Sequence, residues 1–567
     1  MNAEQLLQHF ERISEAPDAI PRLRRFILDL AVRGKLVEQD PSDEPASELL
    51  KRIATEKARL VKAGEIKKQK PLPPLTSDEL FNAIPSGWAV ARLEGISVCL
   101  DYKREPINGS ERQKRIEGKP PDCLFPYFGA TQQQGWIDDY LFDEDLVLLG
   151  EDGVPFFDPL RSKAYLISGK TWVNNHAHVF KCILASHSYL VHYLNAFDYS
   201  GRVVGATRSK LNQARAVDIP IPLPPLPEQH RIVAKVDELM FLCDQLEAAK
   251  AEQEQCRDSL VAASLQGLNQ PAEEEETFRE HARFTFNNLP RITTRTVHIK
   301  QLRQTILNLA VRGALGTSQS DDPSALEDIK LIKDRKMGAA LRKPKPIAPI
   351  EKNEQWCSLP CGWEWTRWDQ ITDWITYGFT RPMPHEAVGV PIVTGKNVNH
   401  GRIIYETADR TPQAAYNTLS DKDKPQTGDI LITKDGSIGR TAVVEGDKIF
   451  CINQSVAVLW LRSCHLNRRF LQMVLDCPAT QLALLERTAG VAIKHISIND
   501  LGKMAFPLPP LPEQHRIVAK VTELTAICDQ LEAQITEKEQ DSRRFLESVL
   551  ADALAPGIDL SAEAQVA

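Results

Sequence analysis

The chain has no excess of positive charge: 69 Lys and Arg stand against 76 Asp and Glu, a formal net charge of −7 over 567 residues. Phosphate neutralisation ordinarily shows as a basic footprint, so composition alone does not suggest a nucleic-acid binder. No run approaches the roughly 18 uninterrupted apolar residues of a membrane helix, and no membrane partner is expected. The opening residues Met1–Gln5 lack the basic region and apolar stretch of a secretory signal. The 11 cysteines are scattered and odd in number, which argues against a disulfide framework and for a reducing cytoplasm. Cys357 and Cys361 form the only close pair, and without a second pair at ligand spacing they make no zinc site.

Catalytic signatures are equally thin. Ser168-Gly169-Lys170-Thr171 ends like a phosphate loop, but Ala164 stands where the first glycine belongs, so the backbone cradle is missing. Asp158-Pro159-Leu160 and Asn288-Leu289-Pro290 lack the paired prolines and aromatic of an amino-methyltransferase motif, and no Gly-rich cofactor loop stands out. Asp101-Tyr102-Lys103 would be half of a nuclease site, but no partner acid is identifiable and it reads as a charge pair. His176 and His178 are metal-ligand types, yet a strand histidine bonded within its own fold is the expected state. No catalytic, cofactor or metal residue is therefore assigned, and the chain reads as non-enzymatic.

What the chain does have is an internal repeat. Pro222–Val236 reads PLPPLPEQHRIVAKV, and Pro507–Val521 reads the same, letter for letter. The likeness runs on through Cys243–Ala248 and Cys528–Ala533, both CDQLEA. Leu23–Gly34 answers Leu302–Gly313, and Pro85-Ser-Gly-Trp88 answers Pro360-Cys-Gly-Trp363. Between these blocks the halves diverge, keeping only a skeleton. Glu151-Asp152-Gly153 aligns with Lys434-Asp435-Gly436, Asn175-His176 with Asn453-Gln454, and Gly205 with Gly490. A period this long makes each copy a domain-sized unit rather than a solenoid repeat. A near-identical frame carrying two dissimilar inserts suits a scaffold that presents two different recognition surfaces.

The order of the blocks predicts a layout. Residues 1–88 form a helical and linker region, 89–220 the first insert, 221–268 a long helix, and 269–363 a linker with the repeated helical region. Residues 364–506 form the second insert, 507–555 a second long helix, and 556–567 a tail. Prolines before each long helix impose extended backbone, and Pro227 suits the first helical turn with Glu228 at the positive end of the dipole. Ile232, Val236, Leu239, Cys243 and Leu246 then step by 4, 3, 4, 3, the spacing of a coiled-coil stripe. Ile517, Val521, Leu524, Cys528 and Leu531 repeat it. Neither helix can bury such a stripe alone, so the two are expected to pair antiparallel, each a spacer of about 55–60 Å at 1.5 Å per residue. Core helices of two ordinary domains are the competing reading.

Leu23, Ile27 and Leu30 line one face of a shorter helix, as do Leu302, Ile306 and Leu309, with Gly34 and Gly313 at C-cap positions. The Pro- and Lys-rich stretches 67–74 and 343–349 read as solvated linkers, and the acidic run Glu273–Glu276 as the junction between halves. The inserts read as mixed α/β. Strands are expected at Leu146–Leu149, Asp429–Thr433, Thr441–Val444 and Ser455–Leu461, and helices at Tyr189–Leu194 and Arg469–Leu475. The fold class is thus mixed α/β: two globular domains separated by a pair of long helices, with a pseudo-two-fold duplication.

The PLPPLPEQ block leading into a heptad helix after each insert resembles the conserved regions of type I restriction–modification specificity subunits. The Gly428–Gly436 strand and turn, with Asn453 after it, resembles their target-recognition domains. The likeness covers nearly the whole chain. It implies two domains that each read one half of an asymmetric, interrupted double-stranded DNA target, and helices that dock two methyltransferase subunits. Those subunits would methylate adenine from S-adenosylmethionine, and restriction subunits using ATP and Mg2+ are possible further partners. The first insert departs from the pattern, with Leu149-Gly150-Glu151-Asp152 where the second has Thr433-Lys434-Asp435.

Residues 89–220 hold 15 Lys and Arg against 16 Asp and Glu, and residues 364–506 hold 16 against 15. Both inserts are thus near neutral, and base reading needs a few placed donors rather than a basic domain. The candidates in the second insert are Lys434, Ser437 and Arg440, then Arg381, Lys396, Asn397 and Asn399. In the first insert they are Gln132, Gln133, Gln134, Arg208 and Lys210. Ordinary solvated loops are the alternative for each. At the level of the whole chain, a duplicated scaffold binding proteins instead of DNA is the rival function, and a fused enzyme with an unrecognised motif the second.

Overall fold

The computed structural model of the chain describes residues 16–76, 84–205, 209–269, 275–339, 348–399, 401–488 and 495–554. Contacts divide it into two units, Met1–Gln253 with Lys538–Ala567, and Glu254–Glu537. The divisions fall inside the two long helices and not at the acidic run Glu273–Glu276, part of which lies outside the described residues. The fold is mixed α/β, with a sheet-bearing domain in each unit.

In the first unit, helix α1 (Ala19–Val32) ends at Gly34, whose φ of +67° suits the left-handed position that closes a helix. Helix α2 (Ala46–Lys62) buries Leu49 and Ile53. The insert opens on β1 (Ala89–Arg92) and closes on β10 (Pro220–Leu223), which pair antiparallel as a two-stranded ribbon. Between them lie β2 (Ser97–Cys99), β3 (Phe125–Phe128), β4 (Gln133–Ile137), β5 (Phe142–Asp143), β6 (Leu146–Gly150), β7 (Ala164–Ile167), β8 (Lys170–Val173) and β9 (Ala177–Cys182). One sheet runs β2-β9-β6-β7 and a second β4-β3-β8-β5. Leu146–Leu149 are fully buried on β6, as a short continuous apolar run between polar turns requires. Helix α3 (His187–Ala196) follows, and helix α4 (Leu226–Asn269) begins straight after the prolines.

The second unit repeats the plan. Helix α5 (Thr296–Val311) ends at Gly313, φ +73°, and helix α6 (Ala325–Ala339) precedes the ribbon of β11 (Glu364–Arg367) and β21 (Ala505–Leu508). Inside the ribbon the sheet order β12-β20-β17-β18 repeats that of the first unit, with β12 at Trp374–Tyr377, β17 at Ile430–Thr433, β18 at Thr441–Val443 and β20 at Val456–Trp460. A second sheet runs β16-β13-β19 (Asp409–Thr411, Val390–Val393, Cys451–Ile452), and β14 with β15 (Val398–Asn399, Arg402–Ile403) makes a small hairpin. Helix α7 (Arg468–Asp476) precedes helix α8 (Leu511–Leu554). Every strand and helix expected within the inserts is present, to within two residues at its ends, and the long helices begin at Leu226 and Leu511, four to five residues inside the ranges expected for them.

The apolar stripes of the long helices go somewhere other than expected. Ile232 and Val236 are wholly buried in the core of the first unit, with Ile20, Ile27, Leu190 and Tyr193, and Leu239 and Leu246 pack against that cluster. Ile517 and Val521 are buried in the second unit with Ile299, Leu302, Phe470 and Leu471, and Leu524 and Leu531 pack beside them. Each stripe is covered by its own unit, so pairing of the long helices is not what buries it. The repeated short helix supplies much of the cover. Arg24 of α1 bonds Asp244 at 2.6 Å and Glu247 at 2.7 Å, and Arg303 of α5 bonds Asp529 at 2.5 Å and Glu532 at 3.1 Å.

The same short helices receive the far ends of the long ones. In the first unit Leu546 and Val549 of α8 pack on Ala16 and Ala19, and Glu547 pairs with Arg22 at 3.0 Å. In the second unit Val261, Leu265 and Leu268 of α4 share a core with Ile299 and Leu302, and Asp258 bonds His298 at 2.8 Å. Among the described residues no helix is long and apolar enough to cross a membrane.

Candidate nucleic-acid interface

The repeated blocks are repeated because they lock to one another. The Trp88 indole donates to the Glu228 carboxylate at 3.0 Å, and the Trp363 indole to Glu513 at 2.8 Å, all four residues being buried. Burial pushes the Glu228 carboxyl up, against the hydrogen bonds from Gln39 and Trp88 that favour its charged form. Beside it the Gln229 amide donates to the Pro224 carbonyl and its oxygen accepts from the Ser186 amide, both at 2.9 Å; Gln514 makes the same bonds to Pro509 and Asn467. Gly34 and Gly313 lie so close to Pro85 and Pro360 that a Cβ would stand 2.4 and 2.5 Å from the ring carbons. The Gly, Gly-Trp and Pro-Glu-Gln blocks are therefore one latch, written in three places.

The proline-rich linkers are also held, at their insert-facing ends. Arg92 donates to the carbonyls of Pro73 and Pro74 at 3.2 and 3.1 Å, and Arg367 to those of Ala348 and Pro349 at 3.2 and 2.9 Å. Residues 343–347 lie outside the described residues.

The latch fixes where each insert presents its turns. In the second insert the turn after β17 carries Lys434, Ser437 and Arg440. Ser437 and Arg440 are exposed, while Lys434 is half-buried, paired with Asp435 at 2.9 Å and standing 5.1 Å from the Tyr377 ring centroid. The Thr433 amide donates to the Arg440 carbonyl at 2.9 Å, which closes the turn and leaves the Arg440 guanidinium outward. Arg440 and Asn399 border a cleft of about 1430 Å³ together with Arg402, Arg469, Gln472 and Asp476. Burial pushes the Asp476 carboxyl up to about 6, although the Thr441 hydroxyl donates to it at 2.6 Å. Arg402 comes from the β14–β15 hairpin and Arg469 and Gln472 from helix α7, so no spacing in the sequence marks them as neighbours of Arg440.

Lys396 is exposed and pairs with Asp409 at 3.3 Å. Asn397 is not available to a ligand. It is fully buried, its oxygen accepts from the Thr394 amide at 3.0 Å and hydroxyl at 2.9 Å, and its amide donates to Ile404 and Thr407 at 3.3 Å. An asparagine in a turn caps its own backbone as readily as it reads a base, and here the first role consumes the side chain. Arg381 is exposed but spends a donor on the Thr418 hydroxyl at 2.6 Å.

In the first insert Gln132, Gln133 and Gln134 are exposed at and before β4, beside Trp136, which is 48% exposed. The Gln134 oxygen accepts from Asn174 at 3.4 Å, the Glu151 amide donates to the His176 carbonyl at 2.8 Å, and Lys210 pairs with Glu151 at 3.0 Å. Gln134, on β4 of one sheet, and Lys210, beside the end of β6 in the other, are thereby linked through Asn174, His176 and Glu151. Arg208 lies outside the described residues. Nothing in the sequence pattern around Trp136 places it outward.

The two inserts match more closely in space than in sequence, with one change of register. Asn174 donates its backbone N–H to Phe128 at 3.0 Å and caps the His176 amide at 2.8 Å; Asn453 donates to Val393 at 3.3 Å and caps the Ser455 amide at 3.1 Å. Asn174, and not Asn175, is thus the counterpart of Asn453. The residues flanking it carry no periodic signal, so the sequence does not fix this register to the residue.

A duplicated latch frame with two sheet-bearing modules, alike in backbone and unlike in exposed side chains, defines a two-surface recognition protein. A family model described as the type I restriction modification DNA specificity domain matches residues 85–254 and 387–538. The EcoEI specificity subunit of Escherichia coli is 30% identical, covering 94% of this chain and 93% of its own length. The EcoAI specificity subunit of the same organism is 32% identical over the same shares. A solved chain, from work on complex assembly and conformational transition of the type I R-M system, is 19% identical and covers 84% of this chain and 99% of that one, with a TM-score of 0.44. The chain belongs to the type I restriction–modification specificity subunits.

Proposed function

We propose that the chain is the DNA-reading subunit of a type I complex, each insert reading one half of an asymmetric, interrupted duplex target. Two methyltransferase subunits dock on the helical frame and methylate adenine from S-adenosylmethionine, and restriction subunits with ATP and Mg2+ join where they are encoded. This chain supplies no catalytic group or cofactor site, and the complex works in the cytoplasm. The observation that carries the reading is the pairing of one repeated frame with two inserts that share a sheet order and differ at the turns: Glu151 stands where Lys434 does. A scaffold for proteins is not favoured, because the curated relatives over nearly the full length are named as restriction-enzyme specificity subunits.

The test is co-expression with a methyltransferase subunit of the same system and mapping of adenine methylation in host DNA. One new asymmetric motif of two short half-sites with a fixed gap is expected. An assembled, methylating complex that yields no such motif would mean that the inserts recognise something else.

A further inference from the structure

Behind the exposed turns of the first insert lies a charged chain, built on a buried histidine, that has no counterpart among the described residues of the second. His178, on β9 and fully buried, places Nδ1 2.6 Å from Asp101 Oδ2 and Nε2 2.8 Å from the Leu211 carbonyl oxygen. The other Asp101 oxygen accepts the Val179 amide at 2.9 Å, and Arg104 sits 3.1 Å from Asp101 Oδ2. Arg104 then reaches Glu151 at 2.9 Å, whose second oxygen holds the Lys210 amine at 3.0 Å. Although burial raises the Asp101 carboxyl, the His178 hydrogen bond and the nearby charges of His178 and Arg104 hold it below the usual carboxylate range. Asp101, Glu151 and His178 cluster as metal ligands do, but both ring nitrogens are committed and Arg104 and Lys210 already meet the carboxylate charge.

Everything at the outer end of this chain belongs to one short stretch. Lys210 pairs with Val204 by two backbone bonds of 2.8 and 2.9 Å, and the Leu211 amide donates to the Glu151 carbonyl at 2.8 Å. In the second insert the matching backbone bond persists, from the Ile496 amide to Lys434 at 3.0 Å. There, however, buried Ala457 opposes Ile432 where His178 opposes Leu149, and Lys434 replaces Glu151. Among the described residues, only the first insert ties this segment to the sheet through a chain of charged side chains, where the second uses the apolar Ile496.

We infer that His178 is a positioning residue of the first recognition domain: it fixes the Leu211 carbonyl and, through Asp101, Arg104 and Glu151, the Lys210 amine, and so sets the surface that reads one half-site. The inference rests on the DNA-reading function proposed above. A buried, fully bonded group that holds a reading segment acts on discrimination rather than on overall affinity, because phosphate contacts elsewhere are untouched.

The experiment uses the full chain co-expressed with methyltransferase, and duplexes holding the mapped target intact, scrambled in the first half, or scrambled in the second. His178→Ala is expected to lower discrimination at one half-site by about tenfold, the scale of one lost base contact, and to leave the other half-site unchanged. His178→Gln, whose amide can still donate to Leu211, recovers part of that loss. Should His178→Ala fail to assemble, Glu151→Gln keeps the His178 anchor, releases Lys210, and is expected to weaken the same half-site. Equal loss at both half-sites, or no loss from a folded variant, overturns the positioning role. A wild-type complex that does not distinguish intact from scrambled DNA overturns the DNA-reading function itself, which is a different result.

Discussion

At the scale of single residues, one buried and one half-buried aspartate make the second unit's stability depend on pH between about 4 and 7. Burial raises both the Asp429 and the Asp476 carboxyl to about 6. A carboxyl with a folded pKa above its unfolded value binds its proton more readily in the folded state. Stability therefore grows as pH falls from 7 towards the unfolded pKa near 4, and is lost again as pH rises through 6. The two groups together are worth a few kcal/mol, on the order of 1.4 kcal/mol per pKa unit each. The urea midpoint of the second unit should be higher at pH 5 than at pH 7.5, and Asp429→Asn should flatten the difference; a midpoint independent of pH would contradict the burial of these groups. Glycines offer a sharper contrast. Gly34→Ala meets both a left-handed φ of +67° and Pro85 at 2.4 Å, whereas Gly64→Ala meets only the φ of +75°. The first should cost about 2–4 kcal/mol and the second about 1, read as the fall in melting temperature. Sequence spacing identified Gly34 as a cap but gave no sign of the proline over it, because that contact joins residues 51 positions apart. The fate of Asn397 was hidden for a similar reason: whether a turn asparagine faces solvent depends on what folds over it.

At the scale of elements, the latch decides. Trp88→Phe keeps the ring packing and removes the donor to Glu228, leaving a buried carboxylate with one partner fewer, and should cost about 1–3 kcal/mol. Trp363→Phe should do the same through Glu513. A melting curve for each variant checks this, and the two effects should be of similar size because the latches are built alike. The apolar periodicity was enough to place β6, β17, β20 and both long helices, since burial of a continuous run or a heptad stripe is a local property. It misjudged the partner of the stripe, since periodicity states that a face is covered and not by what. The cover is the short repeated helix and the insert itself, and the LAVRG signal of that helix shows its apolar face without showing what the face meets. The cleft beside Arg440 was illegible on the same grounds, its rim coming from three separate segments. Arg440→Ala should weaken modification of one half-site while leaving assembly intact, measured as methylation of the mapped motif; unchanged methylation would remove Arg440 from the interface.

At the scale of the whole molecule, the first unit is discontinuous in sequence, whereas the second runs unbroken from Glu254 to Glu537. The first is completed by Lys538–Ala567, which brings Leu546, Glu547 and Val549 to Ala16, Ala19 and Arg22. A chain ending at Glu537 should therefore melt in two steps, with the first unit lowered by several degrees and the second unchanged, as calorimetry or limited proteolysis would show. A single unshifted transition would mean that these contacts contribute nothing to the first unit. The duplication itself was the most legible feature of the chain, because identity over fifteen residues survives any uncertainty about secondary structure.

The ribbons carry a consequence of another kind. Because β1 lies hydrogen-bonded to β10, and β11 to β21, each insert leaves the frame and returns to it at nearly the same point. To the frame, an insert of any size is one closed loop, and the entropy of closing a loop rises by only about 0.6 kcal/mol for each doubling of its length. The frame is thus almost blind to the length of what it holds, though not to the helix that covers its stripe, which Leu190 and Tyr193 supply in one insert and Phe470 and Leu471 in the other. Modules that keep that covering helix can be exchanged between the same two strands at different lengths and with different exposed turns, leaving new specificities open to selection on what they read.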